Sequence, residues 1–133
     1  MVGAEFNPVL FRNDNPIILA CERHQALILP VLMNYQAGGY LAGTVIAANT
    51  SSANPPYYQA YVNSGASGTG TAKAILFENV TFSPAVTAGF EPARAIVKGN
   101  VFQTKLTGLD ANAITNLNAR SFMDSTGAQI LMF

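Results

Sequence analysis

Charge is scarce in this 133-residue chain: 11% of residues are Asp, Glu, Lys or Arg, against roughly 25% in an ordinary globular domain. Seven basic and seven acidic residues cancel to a net charge of zero. Phosphate binding needs a concentrated positive surface, so nucleic acid is excluded as a partner. The usual polybasic route to a membrane surface is missing as well. The single cysteine, Cys21, excludes an internal disulfide and any multi-cysteine metal site. With one histidine, His24, and no paired His or calcium-loop pattern, neither a metal nor another cofactor is expected. Long apolar runs are missing too. The longest, Ala26 to Met33, is interrupted by Pro30, where a membrane span needs about twenty residues. Met1 to Pro8 shows no basic or apolar leader pattern, which gives an expectation of a chain made and kept in a cytoplasm.

Half of the residues are apolar, and the length fits one domain. The first sixteen residues differ from the rest. Phe6-Asn7-Pro8-Val9-Leu10-Phe11 and the second proline, Pro16, exclude helix and favour extended backbone. Residues 1–16 therefore read as an extended arm carrying apolar anchors, either reaching a neighbour or folded back as an edge strand. Residues 17–133 read as a single β-rich domain. Its expected strands are Ile17–Cys21, Leu27–Met33, Tyr40–Ala47, Tyr57–Val62, Ala72–Phe82, and Ala93–Leu106 with a kink at Gly99, separated by Gly- and Pro-containing loops. This spacing of short strands predicts a mainly β (α+β) fold, a small barrel- or sandwich-like domain with one C-terminal helix. Thr107 and Asp110 resemble a capping signature, and Leu109, Ala113, Ile114 and Leu117 make one apolar stripe, which predicts a helix over 109–120. The apolar tail Ile130-Leu131-Met132-Phe133 is expected to be a closing strand or an interface plug, and is a candidate trimer seam.

The catalytic inventory is thin. Cys21 and His24 are the minimum for nucleophilic catalysis, but three residues apart on an extended chain they point to opposite faces. A buried thiol beside a surface histidine is the weightier reading. Gly65 and Gly70 have phosphate-loop separation, yet Thr71 follows where a lysine should stand. Five tyrosines, Tyr35, Tyr40, Tyr57, Tyr58 and Tyr61, allow a glycan platform, but aromatic residues in strands more often serve core or interface. No small-molecule substrate is expected, and an enzyme is the last of the readings.

Five segments, in order, carry a resemblance. Gly39-Tyr40-Leu41-Ala42-Gly43-Thr44-Val45-Ile46 resembles the "aGtVL" segment of the lambda-type phage head decoration proteins, the protein D family. Tyr57 to Val62 with Asn63-Ser64-Gly65 is similar to that family's Tyr-containing strand and "asdG" loop. Ala72 to Val80 resembles "AvGILledV", with Ala74 where glycine is usual. Ala95 to Val101 resembles "a.vlvrGeV", and Leu106 to Ala111 resembles "LtgLda" ahead of the terminal helix. The likeness spans residues 38–122 and leaves both ends unmatched.

The resemblance implies a homotrimeric capsid decoration (cement) protein. It would sit on the outer surface of the expanded phage head at local threefold positions and brace it against internal DNA pressure. Its partners would be the major capsid protein and two further copies of itself, and it would be assembled in the host cytoplasm. The arm would dock by strand addition, with Phe6, Pro8, Val9, Leu10 and Phe11 as the capsid-binding residues. The alternatives are another virion assembly β-protein of the tail or head-completion kind, and a small glycan-binding module.

Overall fold

The computed structural model describes residues 18–21, 25–85 and 87–133. In chain order the strands are β1 (Leu27–Asn34), β2 (Val45–Asn49), β3 (Tyr57–Ala60), β4 (Ala74–Leu76), β5 (Phe90–Lys98) and β6 (Asn100–Phe102). A 3-10 turn at Gln103–Lys105 follows, then the helix α1 (Ala111–Leu117), β7 (Arg120–Met123) and β8 (Gln129–Met132). The described chain is thus mainly β with one α-helix, as the sequence pattern predicts.

The strands fall into two sheets. β1, β3, β2, β4 and β5 form a closed ring of backbone ladders, and β6, β8 and β7 form a second, three-stranded sheet in that order. β1 and β5 pair antiparallel over their full lengths, from Leu27–Lys98 to Asn34–Phe90. The opposite closure is slight: β1 meets β3 in parallel at the single pair Met33–Tyr58.

Inside the ring lie Met33, Ile46, Ala74, Leu76, Ala93 and Ala95. A second cluster, including Ile18, Val45, Ile75, Ile96, Val101, Ala113 and Leu131, joins the ring to α1 and the three-stranded sheet. Side chains on a strand alternate between faces. Adjacent residues of β2 and β4 therefore serve different clusters, Val45 beside Ile46 and Ile75 beside Leu76. That is why both strands are apolar at every position except Asn49, the last of β2.

β5 and β6 are one extended run bent at Gly99, whose φ of +155° is reached cheaply only by glycine. The bend sends the chain out of the ring and into the second sheet. Gly99 and the terminal Phe133 exchange two backbone hydrogen bonds of 3.0 Å, tying the last residue to the bend.

The helix is shorter than its apolar stripe suggests. Asp110 caps its start by accepting from the Ala113 amide at 2.8 Å, and Asn118 ends it in the left-handed conformation at φ +56°. An asparagine tolerates that geometry better than most side chains. The chain then turns into β7, an element the sequence pattern does not reveal. Ala72–Phe82 also differs from expectation. Only Ala74–Leu76 lies in a ladder, because past the in-register Phe77–Arg94 bond the Arg94 amide donates to the Glu78 carboxylate at 2.9 Å and Asn79 takes up the Ala42 amide at 2.8 Å. Tyr40–Thr44, expected as strand, turns at Ala42–Gly43 through the Thr44–Leu41 hydrogen bond, between isolated bridges of Tyr40 to Val80 and of Thr44 to Thr107.

The tail is resolved as β8, the central strand of its sheet. Leu131 is 0% and Ile130 4% exposed, while Met132 and Phe133 are partly buried. Of the two expectations, closing strand and interface plug, the closing strand is what is seen. Ile130 and Leu131 have their surface buried within their own chain and none to offer as a trimer seam, and Phe133 packs on the same core.

Candidate functional site

Among the described residues, the side chains of Asp110, Glu78, Arg94 and Asn116 are engaged in holding the fold. The Asp110 carboxylate accepts at one oxygen from the Ala113 amide and from the Tyr61 hydroxyl, the latter at 3.1 Å. Burial, followed by that carboxylate, raises the Tyr61 pKa above the usual phenol value. Glu78 accepts two bonds from the Arg94 guanidinium, at 3.2 and 3.0 Å, and a third from the Arg94 amide at 2.9 Å. The guanidinium holds the Glu78 carboxyl below its ordinary range and lies 5.3 Å from the centre of the Phe77 ring. The Asn116 side chain accepts from the Ala72 amide at 2.9 Å. Asp110→Ala removes the cap and the Tyr61 partner together. It is expected to cost about 1–3 kcal/mol in chemical denaturation.

The Cys21 thiol is half-buried, 3.8 Å from the Asn100 carbonyl. His24 lies outside the described residues, as do Phe6, Pro8, Val9, Leu10 and Phe11. Among the described residues no group of three or more His, Cys, Asp or Glu could hold a metal, and no helix is long and apolar enough to cross a membrane.

The tyrosines divide by burial. Tyr40 and Tyr61 are core residues, whereas Tyr35, Tyr57 and Tyr58 are half-exposed. Tyr35 and Tyr40 both meet Phe82 edge-on, at 5.2 and 6.4 Å. The Tyr40 hydroxyl donates to the Asn34 carbonyl at 2.8 Å, and burial pushes its pKa up to about 12. The folded chain therefore keeps this proton through the range above ~10 where an unfolded tyrosine loses it. Its stabilising contribution is complete below pH ~10 and disappears as the pH climbs through about 12. An alkaline titration followed by circular dichroism should show unfolding in that window, with a shallower loss in Tyr40→Phe.

The backbone junction at Gly43–Val45 links three separate parts of the chain. Gly43 donates to the Leu76 carbonyl at 2.8 Å, and Leu76 donates back to Thr44 at 2.9 Å. On the other side Thr107 donates to Gly43 at 2.9 Å and Val45 donates to Thr107 at 3.0 Å. Gly43 has φ +92°, and a Cβ there would collide with the Lys105 carbonyl. The junction thus locks the ring to the lead-in of α1. Tyr61 joins the same knot, donating its amide to Val45 at 2.9 Å and its hydroxyl to Asp110.

No family model, curated protein or solved structure matches this chain.

What the surface offers is apolar area. Where β1 and β3 part, a groove of about 330 Å³ opens, lined by Pro30, Val31 and Leu32 of β1, Pro55, Pro56 and Tyr58 on the β3 side, and Pro92 of β5. Leu29 and Phe90, 42% and 46% exposed, lie on the same two paired strands. The Phe90 ring rests 5.1 Å from Tyr57. A second apolar feature is the edge strand β7, where Phe122 and Met123 are exposed. The sequence signal for the groove is present in β1, Leu-Ile-Leu-Pro-Val-Leu-Met-Asn. A strand apolar at nearly every position is ordinarily covered on both faces, and this one is not.

Proposed function

We propose that this chain is a structural virion protein, a homotrimeric decoration protein that binds the outer surface of an expanded phage head at local threefold positions and braces it. The observation that carries the reading is the junction at Gly43–Val45. The segments that resemble the decoration family are distant in sequence, yet they bond to one another. The "aGtVL" segment supplies Gly43 and Thr44, the "AvGILledV" segment Leu76, and the "LtgLda" segment Thr107. The Tyr-containing segment reaches Asp110 of the last of these through Tyr61, and "a.vlvrGeV" joins through the Ile75–Ile96 pair. The likeness therefore falls on residues that make up the framework of a small barrel-like domain.

The engagement of Asp110, Glu78, Arg94 and Asn116 in holding the fold agrees with a role that is mechanical. A surface of sparse, balanced charge with exposed apolar area suits packing against other subunits. In this reading residues 1–16 are the arm, and they dock by strand addition on the major capsid protein with Phe6, Val9, Leu10 and Phe11 in pockets. A trimer presents three arms together, so modest single contacts sum to high avidity. Binding to the expanded shell and not to its precursor stabilises the expanded state by mass action.

Sedimentation of the purified full-length chain is expected to give three times the 14.0 kDa of one copy. A monomer at every concentration, leaving expanded heads unbound, would remove the reading.

A further inference from the structure

The three-stranded sheet has one covered edge and one open edge. On the β6 side residues 18–20 cover it, through the Leu19–Val101 bridge and the Ala20–Asn100 and Phe102–Ile18 hydrogen bonds. On the other side β7 pairs with β8 alone among the described residues, and every residue of β7 is exposed. Edge strands are ordinarily blunted by lysine, proline or a bulge. Arg120-Ser121-Phe122-Met123 has neither lysine nor proline, and its register with β8 runs from Arg120–Met132 to Met123–Gln129 without a shift. A regular, exposed edge of this kind is open to pairing with another strand.

The ladder fixes which backbone groups this edge offers. The Asp124 amide donates across the turn to the Ala128 carbonyl at 3.0 Å. Antiparallel pairs alternate, so the backbone groups of Phe122 and Arg120 also face β8, while those of Ser121 and Met123 face outward. Side chains alternate as well, which sets Arg120, Phe122 and Asp124 on one face: a cation, an aromatic ring and an anion in that order. Arg120 is exposed and makes no ion pair among the described residues. Asp124 closes the turn through one oxygen, Oδ1, which accepts from the Thr126 hydroxyl at 2.6 Å and from the Thr126 and Ala128 amides, each at 2.9 Å. The Thr126 hydroxyl foremost, and then the amides, hold this carboxyl below its ordinary range.

We propose that β7 pairs antiparallel with β7 of a second copy, about a two-fold axis centred on Phe122. This register sets Ser121 opposite Met123 of the second copy, so the outward-facing groups of each pair exchange both of their hydrogen bonds. It also sets Arg120 opposite Asp124 of the second copy, and the reverse, with the two Phe122 rings between them. Opposite charges and aromatic rings facing each other across strands both favour pairing. Moving the centre by one residue sets Arg120 opposite Phe122 or Thr126, and the charge match is lost. A four-residue strand falls short of the ~1,000 Å² of a stable interface, so the contact is weak in dilute solution and takes hold where copies are crowded. It goes beyond the decoration reading, because a two-fold contact is distinct from the seam of a trimer and forms without a shell.

Disulfide trapping of the concentrated full-length chain in a glutathione redox buffer tests the register, with Cys21→Ser in every chain so that each carries one chosen thiol. Phe122→Cys is expected to give at least tenfold more disulfide dimer than Met123→Cys alone. The Cα atoms of a directly opposed, non-hydrogen-bonded pair stand ~4.5 Å apart, within disulfide reach. A mixture of Ser121→Cys and Met123→Cys chains is expected to form the mixed dimer in preference to either pure one, read by intact mass. Adding Arg120→Glu to Phe122→Cys sets carboxylate against carboxylate and should cut the dimer at least threefold. Equal trapping at 122 and 123, random pairing in the mixture, or no effect of Arg120→Glu overturns the proposal. The substituted positions of β7 are exposed, so the fold is expected to stay in place. A trimer found or missed by sedimentation changes none of these outcomes, which keeps failure here distinct from failure of the decoration reading.

Discussion

Gly43→Ala is expected to lower the melting temperature by roughly 10–15 °C, the largest effect of any single substitution considered for this chain. Two costs coincide at the position. Its φ of +92° lies where a side chain is strained by about 1–3 kcal/mol. The added carbon also meets the Lys105 carbonyl, a backbone atom that cannot swing aside as a side-chain end could. To make room, the Thr107–Gly43 and Val45–Thr107 bonds must lengthen, and the ring loses its lock on the α1 lead-in. A combined loss of about 3 kcal/mol is large against a total stability of roughly 5–15 kcal/mol. Differential scanning calorimetry checks it. Gly108→Ala is the natural control, because Gly108 shares a positive φ of +85° but has open space around its would-be Cβ. It should lose about 1 kcal/mol or a little more.

Deleting residues 1–16 is expected to abolish binding to expanded heads while leaving the fold in place. The ring, the three-stranded sheet and both core clusters are built from residues 18–133, so the far-ultraviolet spectrum should be retained and the melting temperature should move by a few degrees at most. Avidity makes the functional loss steep. Three arms acting together multiply a weak contact, and their joint removal takes affinity down by a factor on the order of 10² or more. Co-sedimentation with heads assembled without this protein measures it. Undiminished binding of the truncated chain would place the docking contact in the β-rich domain and not in the arm.

The β-rich class, the single helix and the bend at Gly99 were legible in the sequence because each has a local cause. Gly99 punctuates a run of strand-forming residues between Ile96-Val97 and Val101-Phe102, and Asp110 sits three residues before the amide it caps. Where the pattern misplaces an element or leaves two readings open, the origin is different. Ala72–Phe82 reads as one long strand, yet the Asn79 and Glu78 side chains bond backbone amides 37 and 16 residues away, at Ala42 and Arg94, in place of a continued ladder. Those partners leave no local signature. Ile130–Phe133 reads equally well as plug or strand, since apolar composition reports burial and says nothing of what does the burying. Leu131 packs with Val101 and Ile18 of its own chain. The proline-lined groove depends on Pro30, Pro55 and Pro92 converging from three strand regions, a juxtaposition only the closed ring creates. Its one visible trace is β1 itself, apolar at nearly every position.

The reading as a decoration protein is most directly tested by electron microscopy of expanded heads assembled without this protein and then incubated with the full-length chain. The account predicts threefold density on the outer surface at local threefold positions, and heads that withstand higher temperature or internal DNA load once coated. Bare shells after incubation, or particles equally robust with and without the chain, would contradict it.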